Sequence, residues 1–341
     1  MISLWSIAIL TVFAISMGFG VRNKIMLAGR LSVRNELRYI AEAGINQSIT
    51  LLSDSVNSEY DTLLDSWSNN LGAFYGMSVD KGKYSICYNY YDAGSGTTSE
   101  RYGMVDEERK LNLNKAKYDY LSNLFKFVLG FDTKQADDLA AAIVDWRDKD
   151  DFPLANGAES YYYRGLSNPY ESKNNDFDVI EELMLVRGMS KEAFQKIKPF
   201  ITVYGNGKVN INTAHEPVLI ALGLNQALVK KILVYRAGAD KQECTYDDNI
   251  FNAPSSIVPN LSQVLNLSPQ EVAALSNLVS ENTLGTSSSV FSIISVGKIE
   301  NKTTVIEIAC IFDRSKVDSG ENAVKYWNQK YYTVSIPSKA E

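Results

Sequence analysis

Hydrophobic and polar residues follow several different spacings along this chain, and the first stretch contains no charge at all. Residues 2–20 carry only uncharged side chains. At about 1.5 Å per residue, a helix over this stretch is roughly 28 Å long, close to the ~30 Å hydrocarbon core of a bilayer. No basic residue precedes Arg22, which disfavours a cleaved secretory signal. The pattern predicts one membrane anchor, with the bulky apolar residues Ile2, Leu4, Trp5, Ile7, Ile9, Leu10, Val12, Phe13, Ile15 and Phe19.

From residue 22 to about Ser55 the apolar spacing becomes helical. Apolar or small residues recur every three or four positions, and they are Leu37, Ile40, Ala41, Gly44, Ile45, Ser48, Ile49 and Leu52. We therefore predict that the anchor continues as one amphipathic helix. Basic residues dominate residues 22–38, where Glu36 is the sole acid, so the positive-inside rule alone places this part in the cytoplasm. A basic leader ahead of the anchor would reverse the orientation, and both orientations are open at this point.

Alternation with a period of two, typical of β-strands, marks both ends of the remaining chain. Near the first end, residues 83–91 and 100–105 flank a turn-rich segment and predict a hairpin. Near the second end, β-branched and aromatic runs predict antiparallel strands at residues 290–296, 303–312 and 330–336. Between these regions, over about residues 105–285, the spacing is helical. The order predicts an α+β protein in which strands flank a large helical insertion.

The predicted insertion contains an internal repeat. The segments Leu-Asn-Leu-Asn-Lys-Ala (111–116) and Val-Asn-Ile-Asn-Thr-Ala (209–214) are each followed by a helical run, a glycine-centred turn and a second helical run. The predicted N-caps of helices that follow such turns are Asp132, Ser190 and Ser268. Each unit resembles a helix-hairpin-helix, a motif that can hold DNA phosphates. Because the first turn is acidic here, we interpret the units as packing elements of an all-α region.

Composition narrows the function classes. The chain has 341 residues, of which 45% are hydrophobic and 22% charged, enough for two compact domains after the anchor. A net charge of −6 argues against a nucleic-acid surface, since phosphate binding requires clustered Lys and Arg. The single histidine, His215, lies near no catalytic motif, and we expect a surface or capping residue. Cys87 and Cys310 fall in predicted strands of one sheet, so a disulfide between them is an open question.

Five acidic residues cluster where a helix of the insertion is predicted to end. They are Asp145, Asp148, Asp150, Asp151 and Glu159. Carboxylates this close repel one another unless solvent, nearby basic residues or a cation offsets them, and oxygen ligands on an irregular loop are what Ca²⁺ accepts. The spacing lacks the EF-hand pattern. From the spacing alone, a calcium site and a solvated acidic helix end are equally consistent with the sequence.

Together these segments resemble the type II secretion minor pseudopilin K family, also called general secretion pathway K. The motifs that carry the resemblance are Ile-Val-Asp-Trp-Arg-Asp-Lys-Asp-Asp (143–151), Gly-Ala-Glu (157–159), Val-Arg-Gly-Met (186–189) and Val-Asn-Ile-Asn-Thr-Ala (209–214). The resemblance implies a pilin-like fold, in which a long N-terminal helix packs on an antiparallel sheet and an α domain is inserted between strands. The corresponding domains are residues 1–20 (transmembrane and filament-core helix), 21–104 (helix continuation and first strands), 105–285 (inserted α domain) and 286–341 (C-terminal strands).

The resemblance also implies a location and partners. The helix holds members of the family in the inner membrane, with the other domains in the periplasm, and K caps the pseudopilus tip together with the minor pseudopilins I and J. Other pseudopilins, the inner-membrane assembly platform and the prepilin peptidase, which cleaves and methylates the N-terminus, are further implied partners. Bound calcium in the α domain is implied as well, and we assign it to residues 145–159. The first residues, Met-Ile-Ser-Leu, offer neither the basic leader nor the glycine that the peptidase requires, so the processing site stays unassigned.

One further feature fits a tip subunit. Pilins inside a filament carry a glutamate early in the apolar helix that pairs with a neighbour's amine, whereas no acid precedes Glu36 here. The leading hypothesis is a non-enzymatic minor pseudopilin that initiates or caps the filament used to export folded proteins. The alternative is a membrane-tethered helix-hairpin-helix DNA-binding protein of a DNA-uptake system. A metal-dependent hydrolase ranks third.

Overall fold

A computed structural model describes residues 2–54, 59–92, 97–319 and 321–334. Its helices are α1 (Ile2–Asp54), α2 (Leu71–Phe74), α3 (Tyr118–Leu129), α4 (Thr133–Arg147), α5 (Ser160–Arg164), α6 (Lys191–Ile197), α7 (Glu216–Ala221), α8 (Gln226–Arg236), α9 (Ile257–Val264) and α10 (Pro269–Ser280). Its strands are β1 (Met77–Val79), β2 (Gly82–Ile86), β3 (Tyr88–Asp92), β4 (Thr97–Arg101), β5 (Val105–Asp106), β6 (Leu111–Asn112), β7 (Ile201–Thr202), β8 (Val209–Asn210), β9 (Leu284–Gly285), β10 (Val290–Ile299), β11 (Thr304–Asp313) and β12 (Val324–Thr333). The predicted long N-terminal helix and antiparallel sheet are confirmed.

Helix α1 begins in the apolar segment and runs without a break for 53 residues. Residues 2–32 are exposed, including every bulky apolar side chain of the predicted anchor. An 18-residue window of this helix reaches a mean hydropathy of 2.0, so by length and composition it can cross a membrane once. The predicted helix end at Ser55 lies outside the described residues.

The second half of α1 packs on the sheet through the predicted apolar face. Its buried apolar residues are Leu37, Ile40, Ala41, Ile45 and Leu52. Gly44 lies at a close approach of the helix to the strands, because a Cβ there would be 2.6 Å from Ser295 Oγ and 2.7 Å from Tyr84 Cδ2. The helix can lie this near β2 and β10 only if residue 44 has no side chain.

The main sheet has six antiparallel strands in the order β1-β2-β10-β11-β12, with β5 also paired to β10. The hairpin predicted from residues 83–91 and 100–105 is only partly correct. Residues 83–91 contain two strands, β2 in the main sheet and β3, and it is β3 that pairs with β4, a strand that begins at Thr97 inside the predicted turn, in a separate two-stranded sheet. The bounds predicted for the last strand, residues 330–336, are wrong. The strand is β12, which begins at Val324 and ends at Thr333, and residues 335 and 336 lie outside the described part. Because β12 is an exposed edge strand, polar residues such as Lys325 and Asn328 continue it without the apolar alternation on which the prediction relied.

A second hydrophobic core lies in the helical region between β5 and β10. The prediction that this region is all-α is wrong, because it also contains two short parallel pairings, β6 with β7 and β8 with β9. Its fully buried members include Leu113, Leu121, Phe125, Tyr163 and Phe251. Helices α3 and α4 join at Gly130, whose φ of +67° suits a residue without a Cβ. The three predicted N-caps, Asp132, Ser190 and Ser268, each accept a hydrogen bond from the backbone N–H three residues ahead.

The internal repeat extends to individual hydrogen bonds. An arginine at the end of each second helix donates to two carbonyls of the extended segment that opens its unit. The first is Arg147, bonded to Leu113 and Ala116, and the second is Arg236, bonded to Ile211 and Ala214. An asparagine in each segment exchanges two bonds with the backbone of a phenylalanine. These pairs are Asn114 with Phe177 and Asn212 with Phe251. The two units of the repeat therefore share the same local hydrogen bonds.

A buried polar junction connects the helical region to the sheet. Arg314 Nη2 lies 2.5 Å from Asp61 Oδ2, and both side chains are almost fully buried. Burial raises the pKa of Asp61 to about 6 although Arg314 opposes the shift. Asp106 is also buried and accepts hydrogen bonds from Asn210 Nδ2 at 3.2 Å and Ser288 Oγ at 2.7 Å. Breaking part of this buried network would leave polar groups without partners, which is energetically costly. The network therefore fixes the position of the helical region on the sheet.

The three cysteines, Cys87, Cys244 and Cys310, are free thiols. Cys310 is opposite Ile293 of β10 in the strand register, whereas the N–H of Cys87 donates to the carbonyl of the next residue, Ile294. Neighbouring positions of a strand face opposite sides of the sheet. Cys310 therefore lies in the core beneath α1 and Cys87 on the other face, which excludes a disulfide between them in this arrangement.

Candidate metal centre

Three of the five predicted acidic residues meet where α4 ends. Asp145 lies in the last turn of α4, Asp148 is its C-cap, and Glu159 is the N-cap of α5. One carboxylate oxygen from each lies within 4.8 Å of the others. Glu159 makes no capping hydrogen bond, so its carboxylate is directed to this group instead of to the helix it precedes.

Asp145 and Glu159 are buried and Asp148 is half-buried, and not every oxygen of the three carboxylates has a hydrogen bond. Asp145 is fully buried and accepts from the N–H of Leu154 at 3.1 and 3.3 Å, while Glu159 is 2% exposed and accepts from Ser172 Oγ at 3.0 Å. Oxygens Oε1 of Glu159 and Oδ1 of Asp148 are buried and have no hydrogen-bond partner in the part of the chain that the structure describes. Because buried polar atoms are nearly always paired, these oxygens indicate a missing partner that is positive or donates a proton.

The pKa shifts of the three carboxylates also indicate a missing positive partner. Burial, followed by the charges of Asp145 and Asp148, raises the pKa of Glu159 to about 7. Burial also raises the pKa of Asp145, and that of Asp148 rises through burial and then the charge of Asp150. Each ionised carboxylate is thus unfavourable in the protein alone. A bound cation would reverse these shifts by stabilising the ionised forms.

The loop between the ligands is shaped to approach Asp145. A Cβ at Gly157 would lie 1.8 Å from Asp145 Oδ2, so only glycine fits there. Asn156 adopts φ +60°, and its carbonyl accepts from Arg187, whose guanidinium lies 5.2 Å from the ring centroid of Tyr162. These contacts hold the loop against the carboxylates and bring one positive side chain near them.

An aromatic layer supports the helix that supplies Asp145 and Asp148. Trp146 contacts Tyr163 edge-on at 5.2 Å and stacks with Phe177 at 6.5 Å between ring centroids. The N–H of Asn174 donates to the carbonyl of Trp146 at 3.0 Å, which holds the segment around residue 174 beside the end of α4. Asn174 Oδ1 is another buried oxygen without a partner.

The structure does not bring all five predicted ligands together. Asp150 and Asp151 are exposed and lie outside the group of three. Asp150 Oδ1 accepts from the N–H of Phe152, and Asp151 Oδ1 accepts from Asn174 Nδ2. Ser172 and Asn174 were not predicted from the sequence, because each meets the acidic segment only through a contact between residues distant along the chain. The three converging carboxylates form a hard-oxygen donor set of the kind that Ca²⁺ or Mg²⁺ accepts.

Comparisons with known proteins agree with this architecture. The family model for type II secretion system protein K matches residues 102–206, which include all three converging carboxylates. Type II secretion system protein K of Pectobacterium carotovorum is 34% identical over 130 residues, 36% of this chain and 38% of that protein. Its counterpart in Aeromonas hydrophila is 34% identical over 144 residues, 39% of this chain and 43% of that protein. The aligned stretch thus spans about two fifths of each relative.

A solved structure is similar over most of the chain. It is a chain of the GspK-GspI-GspJ complex from the type 2 secretion system of enterotoxigenic Escherichia coli, with a TM-score of 0.64. The match covers 91% of this chain and 99% of that one at 16% identity, so it concerns the fold. These findings place the chain in a class, the components of type II secretion systems with an apolar N-terminal helix. Within that class it is similar to the protein K family, which confirms the resemblance drawn from its motifs.

Proposed function

We propose that this chain is a non-enzymatic minor pseudopilin, located at the tip of a type II secretion pseudopilus and assembled with the minor pseudopilins I and J. The observation that carries the proposal is the division of α1. Residues 2–32 are exposed, while the following part of the same helix is buried against an antiparallel sheet. A helix of this kind is suited first to a membrane and then to packing among the helices of other subunits, which is the arrangement of a pilin-like fold.

The proposal includes the location of the chain and its further partners. The helix holds the chain in the inner membrane, and the other domains, with the bounds predicted above, lie in the periplasm. Other pseudopilins, the assembly platform and the prepilin peptidase are its further partners. Similarity to the protein K family favours this function over the DNA-binding alternative, as do the acidic residues after α3, which are Asp132 in the turn and Asp137 and Asp138 in the first half of α4.

The converging carboxylates support a structural Ca²⁺ site within this function. Asp145, Asp148 and Glu159 would hold the ion, which supplies positive charge to oxygens that have no other partner. Asp150 and Asp151 stay predicted ligands. Because Asp145 and Asp148 belong to the end of α4 and Glu159 to the start of α5, a bound ion links the two elements and orders the loop between them.

A deletion tests whether the helical region is needed for secretion. Asp106 of β5 and Phe291 of β10 are antiparallel partners, so a short glycine-serine turn can join these strands in place of residues 107–290. In a strain lacking the gene, we expect the full chain to restore export of secreted enzymes and the shortened chain to restore none. The shortened chain should reach the membrane fraction in equal amount, because α1 is unchanged. Normal export by the shortened chain contradicts the proposed role.

A further inference from the structure

A large cleft lies between the outer face of the sheet and the helical region, and none of the three converging carboxylates lines it. Its volume is about 1010 Å³. The sheet side presents Ile311 of β11 and Tyr326, Asn328 and Lys330 of β12, while Phe200 lies on the helical side. Among the described strands β12 pairs only with β11, so its other edge has free backbone donors and acceptors beside the cleft.

Arg109 lies at the inner end of this cleft and lacks an ion pair among the described residues. It is 3% exposed, and its Nε is buried without a hydrogen-bond partner. The polar contact of its guanidinium is with His215 Nδ1 at 3.5 Å, and its Cζ lies 5.4 Å from the ring centroid of Tyr90. A buried guanidinium has five donors and is always charged, so leaving it unpaired is costly.

The groups around Arg109 add positive charge and do not balance it. Arg101 stacks on the same Tyr90 ring at 3.4 Å, and the nearby carboxylate of Glu243 is already bound by Arg236 Nη2 and the hydroxyl of Tyr90. The charge of Arg109 acts to lower the pKa of Asp106, but the two side chains form no ion pair. The carboxylate of Asp106 instead accepts hydrogen bonds from Thr213 and Ser288 of the polar junction. Four acidic side chains also line the cleft, but Glu107 is paired with Lys110 and Glu181 with Lys198. No acidic side chain among the described residues is paired with Arg109, so its charge is available to a ligand.

His215 differs from the surface or capping residue expected from the sequence. It occupies the N-cap position of α7 but makes no side-chain capping bond, and its ring packs on Tyr90 and Phe200. Burial, followed by the charges of Arg109 and Arg236, lowers its pKa well below the ordinary value. The ring is therefore neutral, which leaves the positive charge at the end of the cleft to the arginines.

We propose that this cleft binds an extended segment of a partner protein through a carboxylate that pairs with Arg109. The unpaired charge of Arg109 selects an anion, and a guanidinium can bind a carboxylate through two parallel hydrogen bonds. The cleft is much larger than a simple anion requires, and its aromatic walls and free strand edge suit a peptide backbone with side chains. Lys196, an exposed lining residue of α6, adds a second positive charge for the same ligand.

The test uses the full chain in detergent and a fluorescein-labelled peptide, acetyl-Val-Asp-Val-Asp-Val-Asp, with its asparagine twin as the neutral comparison. Fluorescence anisotropy should give saturable binding of the aspartate peptide and at least about tenfold weaker binding of the twin, the loss expected for a hydrogen bond to a charged group. Arg109→Gln should weaken binding of the aspartate peptide by about tenfold or more, and Arg109→Lys by less.

A second pair of variants keeps the test decisive if Arg109→Gln does not fold. Lys196 lines the cleft, whereas Lys191 of the same helix does not, and both are exposed. Lys196→Gln should weaken binding of the aspartate peptide by about threefold, while Lys191→Gln should leave it unchanged. Equal binding of the two peptides, no saturable binding, or equal effects of the two lysine variants overturns the proposal. Displacement of the peptide by an equal concentration of inorganic phosphate also overturns it, because the cleft would then be a site for simple anions.

Discussion

Replacing Glu159 by glutamine should have opposite effects on stability with and without calcium. In the metal-free chain the pKa of Glu159 is about 7, against an ordinary value of 4.5. Each tenfold change in proton affinity corresponds to about 1.4 kcal/mol, so ionising this side chain in the folded state costs roughly 3 kcal/mol. Glutamine has the same shape, still accepts from Ser172, and does not ionise.

The pH dependence follows from the direction of the shift. The folded chain binds a proton at Glu159 more tightly than the unfolded chain, so this contribution to stability is complete below pH 4.5 and is lost as the pH rises through about 7. At pH 8 without metal, Glu159→Gln should therefore be more stable than the parent by up to roughly 3 kcal/mol, a rise in Tm of about 6 to 12 °C for a unit of 150–250 residues. At pH 4 the difference should disappear.

Calcium should make the parent more stable than Glu159→Gln, the reverse of their order without metal. At a free concentration 1,000 times its Kd, a ligand that binds only the folded state adds about 4.1 kcal/mol, which exceeds the roughly 3 kcal/mol by which Glu159→Gln is favoured without metal. We expect this gain for the parent and for the matched control Asp119→Asn, whose exposed carboxylate lies in α3 outside the acidic segment, and not for Glu159→Gln. Thermal unfolding by circular dichroism, with chelator-treated protein as the reference, measures each case. An unchanged parent Tm in millimolar calcium, or a glutamine variant that is less stable even without metal at pH 8, refutes the reasoning.

Three further predictions concern the fold. Gly44→Ala should lower the free energy of unfolding by about 1–3 kcal/mol in a urea titration, because the added Cβ clashes with the sheet. Gly29→Ala should not destabilise the protein, because nothing lies within 4 Å of a Cβ at residue 29. Equal effects of the two substitutions contradict the packing of α1 on the sheet. Arg314→Gln should cost about 3–5 kcal/mol in the same assay, because it leaves the buried carboxylate of Asp61 without its ion pair; a loss below 1 kcal/mol contradicts the junction. A reducing agent should leave the Tm unchanged, since the three cysteines are free and Cys310 is fully buried.

Features determined by local sequence were predictable here. The uncharged run and the helical spacing after it predict α1, since both depend on residues that are neighbours along the helix. The N-caps were predictable for the same reason. The acidic segment was found because its members are close in sequence, but spacing alone did not separate the half-buried Asp148, which joins the group of three, from the exposed Asp150, which does not. That difference depends on the C-cap, where the backbone leaves the helix and its direction is set by tertiary contacts.

Features that depend on distant contacts were not predictable. Ser172 reaches Glu159 across 13 residues, and Arg109 reaches His215 across 106. Neither pair belongs to a recognisable motif. The start of β12 was missed because an exposed edge strand has little apolar alternation, and the position of Cys87 relative to Cys310 depends on strand register. The acidic segment was thus predictable from residues close in sequence, whereas tertiary packing determines which of its carboxylates come together.

Complex formation with minor pseudopilins tests the central claim most directly. The full chain should be co-expressed with tagged I and J proteins of the same system, purified in detergent through the tag, and analysed by size-exclusion chromatography with light scattering. The account predicts one species that contains all three proteins and is absent when this chain is omitted. Elution of this chain apart from I and J, with calcium present and at concentrations where I and J bind each other, would contradict the account.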